Sequence, residues 1–452
     1  MRLLTAALCG CVLSWMLTPA AFAQDFESQR LANWHQWRGP DGNGVSPDGT
    51  PPVHWGPDRN IRWKTAIPGE GSASPIVWQD QIIVLTAVPT DRRPEGDASR
   101  RPPERGPGDG APDNAFQFTV LSFDRNTGEV QWQRVAADVV PHESRHQTNT
   151  YASGSPTTDG EFIYASFGSQ GVYCYDMRGE LQWSRDLGKM QTRNGFGEGS
   201  SPTIHKGTLV VTWDHEGPSF ITALNARTGE PKWKVDRDEP TTWATPFVVD
   251  HAGRTQVVTN GTNRVRSYDL DTGELIWECG GQATNPIPTP VLLDNLVYCM
   301  TGYRGYALYA IPLESRGDIT GTDAVAWQRS DGTPYIASPI LYRDILYVTQ
   351  SREAILTTLN PRTGEVLSDR RRLPDLKVLY ASPVAADGRL YYTDRDGTTL
   401  VLQHGPEPEV LATNHLGEVV DASPAIIGRQ MFVRGAQHLY CIEETAGADQ
   451  GR

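Results

Sequence analysis

The chain has 452 residues and a formal net charge of −13, with 44 glycines, 33 prolines and 38% hydrophobic residues. So acidic a surface excludes nucleic acid and anionic membrane faces as partners of first choice. The high Gly and Pro content, with no sustained 3.6-residue apolar period, leaves little room for helix and points to an all-β protein.

The chain opens with Met1-Arg2, an apolar run from Leu3 to Leu17, and Ala21-Phe22-Ala23 before Gln24. That order fits an exported precursor, with residues 1–23 a signal peptide cleaved after Ala23 and no transmembrane segment left behind. Leu8-Cys9-Gly10-Cys11 has the look of a lipobox that would lipidate Cys11, but the apolar run continues past it. Release into the periplasm or medium is therefore the expectation. Residues 24–59 form an N-terminal extension, and 444–452 a C-terminal tail.

Between them a small residue followed by Pro opens a short apolar strand eight times: Ser74-Pro75, Ser155-Pro156, Ser201-Pro202, Thr245-Pro246, Thr289-Pro290, Ser338-Pro339, Ser382-Pro383 and Ser423-Pro424. From the second onward these prolines recur at the period of a four-stranded propeller blade. A second mark runs in phase with them. It reads Asp124-Arg-Asn-Thr-Gly128-Glu129-Val-Gln-Trp132, Asn225-Ala-Arg-Thr-Gly229-Glu230-Pro-Lys-Trp233 and Asp269-Leu-Asp-Thr-Gly273-Glu274-Leu-Ile-Trp277, with a copy one residue shorter from Asp176 to Trp183. Each predicts a tight turn capped by its own Asp or Asn, with Gly left-handed and Trp on the outermost strand wedged between blades. Trp327 fits as a further relative, whereas Asn360-Pro-Arg-Thr-Gly364-Glu365 lacks its Trp.

One unit thus reads as strand a (201–204), b (208–213), c (220–225) and d (231–235). The last unit has no strand d, and Asn60-Ile61-Arg62-Trp63-Lys64 looks like a strand d with nothing before it. The expectation is an eight-bladed propeller over residues 60–443, closed by its N-terminal strand so that no sheet edge stays open, and monomeric by default. Residues 89–115 alternate Pro, Arg, Gly and Asp with almost no apolar residue, and read as a disordered insertion between strands b and c of blade one. Cys174, Cys279, Cys299 and Cys441 form no close pair, which leaves buried free thiols or one incidental disulfide.

In an up-and-down blade the b–c and d–a connections share one face, and the opposite face carries mainly Gly turns. The b–c and d–a connections bring His142, Glu143, Arg145 and His146; Arg193, Asn194, Phe196 and Glu198; Trp213, Asp214, His215 and Glu216; and Trp243, Asn260, Tyr303, Arg304, Tyr335, Arg352, Tyr380, Asp394 and Asp421. The candidate binding residues at the channel mouth are Arg193, Glu198, Trp213, Asp214, His215, Trp243, Asn260, Tyr303, Arg304, Tyr335, Arg352, Tyr380 and Asp394. No catalytic residue and no metal ligand is assigned. Adjacent residues alternate sides on extended chain, so Asp214-His215-Glu216 reads as a solvated loop. Asp394-Arg395-Asp396-Gly397 opens like a calcium loop but lacks the remaining oxygen ligands. His142 and His146 are four apart with no helical frame to align them.

The Asp-x-x-Thr-Gly-Glu-x-x-Trp copies resemble the tryptophan-docking repeats of pyrroloquinoline quinone (PQQ)-like propellers, which include quinoprotein alcohol dehydrogenases and BamB-like assembly proteins. Trp34-His-Gln-Trp37-Arg38-Gly39-Pro40-Asp41-Gly42-Asn43-Gly44 adds a likeness to secreted BamB-like repeat proteins. The resemblance implies an exported, non-catalytic scaffold that binds an envelope protein or peptide. Its alternatives are a PQQ-dependent oxidoreductase using calcium, and carbohydrate or small-ligand binding in the channel mouth. For the dehydrogenase roles the resemblance offers Glu198, Asn260 and Asp394 as candidate calcium ligands and Trp213 or Trp243 as a candidate floor, but none of them aligns to that family's motif and the adjacent cysteine pair of those enzymes is missing here.

Overall fold

The computed structural model describes residues 26–93 and 111–445. The leader, most of the 89–115 insertion and all but the first two residues of the C-terminal tail lie outside the described residues. Among the described residues, helix is confined to short turns such as Arg30–Ala32, Gly168–Gln170 and Arg193–Gly195.

Eight antiparallel sheets, each built on four strands, follow one another as the Ser/Thr-Pro steps predict. Blade three is representative, with strands Thr203–His205, Thr208–Trp213, Ser219–Asn225 and Pro231–Arg237. Strands b and c are buried on both sides because each blade is sandwiched between two others, whereas strand d alternates exposed and half-buried positions along most of its length. The ring closes as expected. Ile61–Ala66 pairs antiparallel with His438–Ile442 and completes the sheet of Ala425–Ile427 and Gln430–Arg434.

The Gly turns form as the sequence predicts. Asp124 Oδ1 accepts the amides of Asn126 at 2.8 Å and Thr127 at 2.9 Å, and Gly128 has φ of 74°. Trp63, Trp132, Trp183, Trp233 and Trp327 each lie over the turn glycine of the next blade. Their indole N–H groups donate to backbone carbonyls there, as Trp183 does to Ala226 at 2.8 Å. Trp277 differs. It is fully buried, but its N–H donates to Gln256 of its own blade at 3.2 Å. Blade five has no Gly turn to receive it: the connection between its strands Ala307–Pro312 and Trp327–Arg329 instead sends Gly317–Asp318 back as a parallel fifth strand on Leu275–Gly280. Cys174, Cys279, Cys299 and Cys441 are free and buried.

The Ser and Thr residues of the Pro steps bond to one another around the axis. The amide of Ser74 donates to Ser155 Oγ, that of Ser155 to Ser201 Oγ, and that of Ser201 to Thr245 Oγ1. The series resumes from Thr289 through Ser338 and Ser382 to Ser423 and returns to Ser74. The link between Thr245 and Thr289 is missing among the described residues, and Thr289 Oγ1 is buried without a partner.

The opposite face is not bare Gly turns. The N-terminal extension crosses it as a strap, bonded through Trp34 to Val77 of blade one, through His35 to Thr158 of blade two, through Gly44 and Ser46 to Ala385 of blade seven, and through Thr50 to Gly428 of blade eight. These inner strands keep one edge free toward the axis, and the strap occupies it. Its Arg38 is buried with no carboxylate beside it. One guanidinium nitrogen donates to the carbonyls of Asn43 and Pro339, and burial lowers the pKa to about 9.

Candidate functional site

The mouth on the b–c face opens into a cavity of about 310 Å³. Trp37, carried in by the strap, lines it and also borders a second cavity on the far side. Six of the eight ring residues line its wall, and the loops supply His146, Phe196, Trp243, Tyr303, Tyr335, Arg352, Tyr380 and Asp421.

Tyr303, from the b–c loop of blade five, and Tyr335, from the d–a loop after it, stack with ring centroids 4.7 Å apart and 22° between planes. Arg352, from the b–c loop of blade six, lies 5.7 Å from one ring centre and 5.2 Å from the other. It is exposed and has no ion pair among the described residues. Across the mouth Arg395 pairs with Asp421 through two bonds of 2.6 and 3.0 Å and lies 4.4 Å from the Tyr380 ring centre. The Tyr380 hydroxyl meets Thr148, which also bonds His146. Burial lowers the His146 pKa, with Arg395 and Arg352 adding to it, so this imidazole is neutral at pH 7.

Of the residues expected at the mouth, Trp243, Tyr303, Tyr335, Arg352 and Tyr380 line this cavity together. Glu198, Trp213 and Asp214 line a smaller cavity between blades two and three, which Trp243 also borders. There Glu198 accepts the Ser169 amide at 2.7 Å and the Ser169 hydroxyl. Burial pushes its pKa up to about 7 despite those bonds, and the nearby Glu143 carboxylate adds to the rise. Arg193 and Arg304 are outside both cavities. Arg193 caps onto Thr241, and Arg304 lies 5.4 Å from the Tyr303 ring centre.

The solvated loop expected at Asp214-His215-Glu216 is corrected in two of its three residues. Asp214 and His215 are buried, and only Glu216 is exposed. Asp214 is held by Arg237 at 2.7 and 3.0 Å and by the Thr242 hydroxyl. The His215 ring closes its own loop, taking the amides of Gln191 and Gly217 on Nδ1. The partner that draws the carboxylate inward is 23 residues away, on strand d.

Asn260 spends its amide hydrogens on the carbonyls of Pro288 and Met300. Asp394 is closed by the amides of Asp396, Thr398 and Lys377. Trp37, Thr148 and the hydroxyl ring were not foreseen as site residues. The Ser/Thr-Pro steps carried the signal for the ring, but their spacing speaks of fold, and nothing local places Trp37 at the cavity.

A ring of eight four-stranded blades, with five Trp rings each laid on the turn glycine of the next blade, is a propeller of the PQQ-like repeat class. The family model described as outer membrane protein assembly factor BamB matches residues 45–195 and 116–369, and the chain belongs to that family. BamB of Burkholderia pseudomallei (strain K96243) is 22% identical over 302 residues, a match spanning 65% of this chain and 65% of that protein, just under two thirds of its length. Among solved structures, BamB from Moraxella catarrhalis aligns with 17% identity over 81% of this chain and 100% of that one, with a TM-score of 0.54. The quinohemoprotein alcohol dehydrogenase from Comamonas testosteroni aligns with 11% identity over 96% of this chain and 85% of that one, with a TM-score of 0.63. At these identities the likeness is one of fold.

The residues present do not assemble a calcium site for a quinone. The Oδ1 of Asn260 is buried without a partner, but Glu198 is taken up by Ser169 and Asp394 by the amides of its own loop, each in a different blade, and no group of three His, Cys, Asp or Glu among the described residues could hold a metal ion. Of the two candidate floors, Trp213 is stacked on Phe220 with centroids 5.8 Å apart, inside the protein, whereas Trp243 lines the mouth, with its indole N–H donated to the Gly197 carbonyl at 2.7 Å. No described helix is long and apolar enough to cross a membrane.

Proposed function

We propose that the protein is an exported, non-catalytic scaffold that binds an envelope protein or peptide through its loop-rich face. The observation that carries this reading is the Tyr303–Tyr335–Arg352 cluster, an aromatic stack under an unpaired guanidinium at an open mouth. Tyr and Arg in such a setting are the residues that most often anchor a protein contact. Membership of a family named for an outer membrane assembly factor supports the same reading, as does a leader sequence of signal-peptide form. A scaffold needs no reactive group at the mouth, and the carboxylate there, Asp421, is committed to Arg395.

The test is a pull-down from envelope extract with the wild-type chain and with a variant carrying Tyr303→Ala, Tyr335→Ala and Arg352→Ala. A protein captured by the first and lost by the second supports the proposal. Recovery that is equal for both, or no recovery at all, overturns it. Fractionation with N-terminal sequencing checks export, the expected first residue being Gln24.

A further inference from the structure

The ring hydroxyls have hydrogens to give. Ser74, Ser155, Ser201, Thr245, Ser382 and Ser423 each accept a neighbouring blade's amide on Oγ, and none donates in turn to a described residue. All six line the mouth cavity. Buried hydroxyls normally find an acceptor, so this wall offers donors that the protein itself leaves unused.

The charges facing the cavity point the same way. Arg352 is unpaired, both oxygens of Asp421 are taken by Arg395, and His146 is neutral. A donor-rich wall with one unpaired cation and no uncommitted carboxylate selects a ligand that brings acceptor oxygens and negative charge. The aromatic faces of Tyr303, Tyr335 and Trp243 suit the apolar stem behind such a group. At about 310 Å³ the cavity is near the lower end of ligand pockets and takes one side chain with its flanking backbone, not a folded domain.

Building on the partner-binding reading above, we infer that the mouth receives a carboxylate carried by the partner, either an Asp or Glu side chain or a chain terminus. Arg352 is its counter-ion and the hydroxyl ring its polar lining. This also accounts for an unpaired cation held over two tyrosines in a chain of net charge −13.

Three labelled pentapeptides separate the sources, titrated against the purified full chain by fluorescence anisotropy. The first is Gly-Tyr-Gly-Glu-Gly with an amidated end, the second Gly-Tyr-Gly-Gln-Gly with a free end, and the third the Gln peptide amidated and therefore neutral. At least one acidic probe is expected to bind about tenfold or more tightly than the neutral one, and Arg352→Gln to remove about that factor. Arg304→Gln, at a residue that lies near Tyr303 but does not line the cavity, is expected to leave binding unchanged. Which acidic probe binds identifies the kind of carboxylate. Equal binding of all three, no binding of either acidic probe, indifference to Arg352→Gln, or binding of a galacturonic acid trimer in place of the peptides overturns the inference. Mouth-dependent capture of a protein without preference for acidic probes sinks this inference alone. Acidic-probe binding without capture supports a carboxylate site at the mouth and overturns the claim that a protein partner carries it.

Discussion

The amide of Ser423 donates to the hydroxyl oxygen of Ser74 at 2.9 Å, joining residues 349 positions apart. The same bond links Ser74 to Ser155 and recurs at the later steps, so one local sequence signal becomes a hoop around the channel. The hoop is broken where Thr245 meets Thr289, and the two threonine-opened blades are thereby set apart from the rest.

Replacing Ser74 by Ala removes the acceptor of the Ser423 amide, which costs about 1–3 kcal/mol because that N–H loses its partner. Thr289→Val removes a hydroxyl that has no partner, so its expected effect is neutral or stabilising. Thermal midpoints of the two variants, measured side by side, check the contrast. A Thr289→Val loss as large as that of Ser74→Ala would contradict it.

Gly229 has φ of 69°, and a Cβ there would stand 2.6 Å from the Trp183 ring. Gly253 has φ of 78° with nothing within 4 Å of its Cβ position. Gly253→Ala therefore carries only the left-handed backbone cost of about 1–2 kcal/mol. Gly229→Ala carries that cost and also displaces the indole that pins blade two to blade three. Chemical denaturation is expected to rank Gly229→Ala clearly below Gly253→Ala, and equal losses would show that the Trp contact contributes little.

The Glu198 carboxyl titrates near pH 7 in the folded protein, against an ordinary value of 4.5, because burial disfavours its charge. Its pKa is raised on folding, so the folded state holds the extra proton between these values. The stability it contributes is fully present below about pH 4.5 and is lost as the pH rises through 7. Glu143, also raised by burial, acts in the same direction. Glu198→Gln is expected to flatten the fall in thermal midpoint between pH 5 and pH 8 and to raise the midpoint at pH 8. A pH profile identical to that of the wild type would refute the assignment.

The Arg237–Asp214 pair is shut off from solvent on both sides, and Arg237 also donates to Thr259 and Tyr268. Arg237→Met strands a buried carboxylate and is expected to cost about 3–5 kcal/mol. Adding Asp214→Asn to that background removes the stranded charge, and part of the loss returns. A double variant no more stable than the single one would mean that the cost lies in lost packing of the arginine.

What could be read from the chain follows from how local its cause is. The turn at Asp124 to Gly128 is set by residues within five positions, and the Ser/Thr-Pro steps repeat often enough to count, so blade number, strand order and ring closure were all legible. Tyr303, Tyr335 and Arg352 could be assigned to one mouth because strand order alone decides which face a loop joins. The burial of Asp214 could not be read, since it depends on Arg237 arriving from another strand of the same blade. Trp37 was out of reach for a similar reason. Its place at the cavity depends on a strap that must first cross the finished ring, bonding on its way to blades one, two, seven and eight.

The pairing of Ile61–Ala66 with His438–Ile442 also sets a timetable. A ribosome makes the earlier of these strands before any other blade strand and its neighbour last of all. Through the whole synthesis of seven blades the first strand stands without a mate, an edge open to the same strand of another copy. Loop closure over so long a span adds little to the free-energy cost, because that cost grows only logarithmically with length. The hazard is one of waiting rather than of stability. The interval between making residue 66 and making residue 442 decides whether a chain closes on itself or exchanges its clasp with a neighbour.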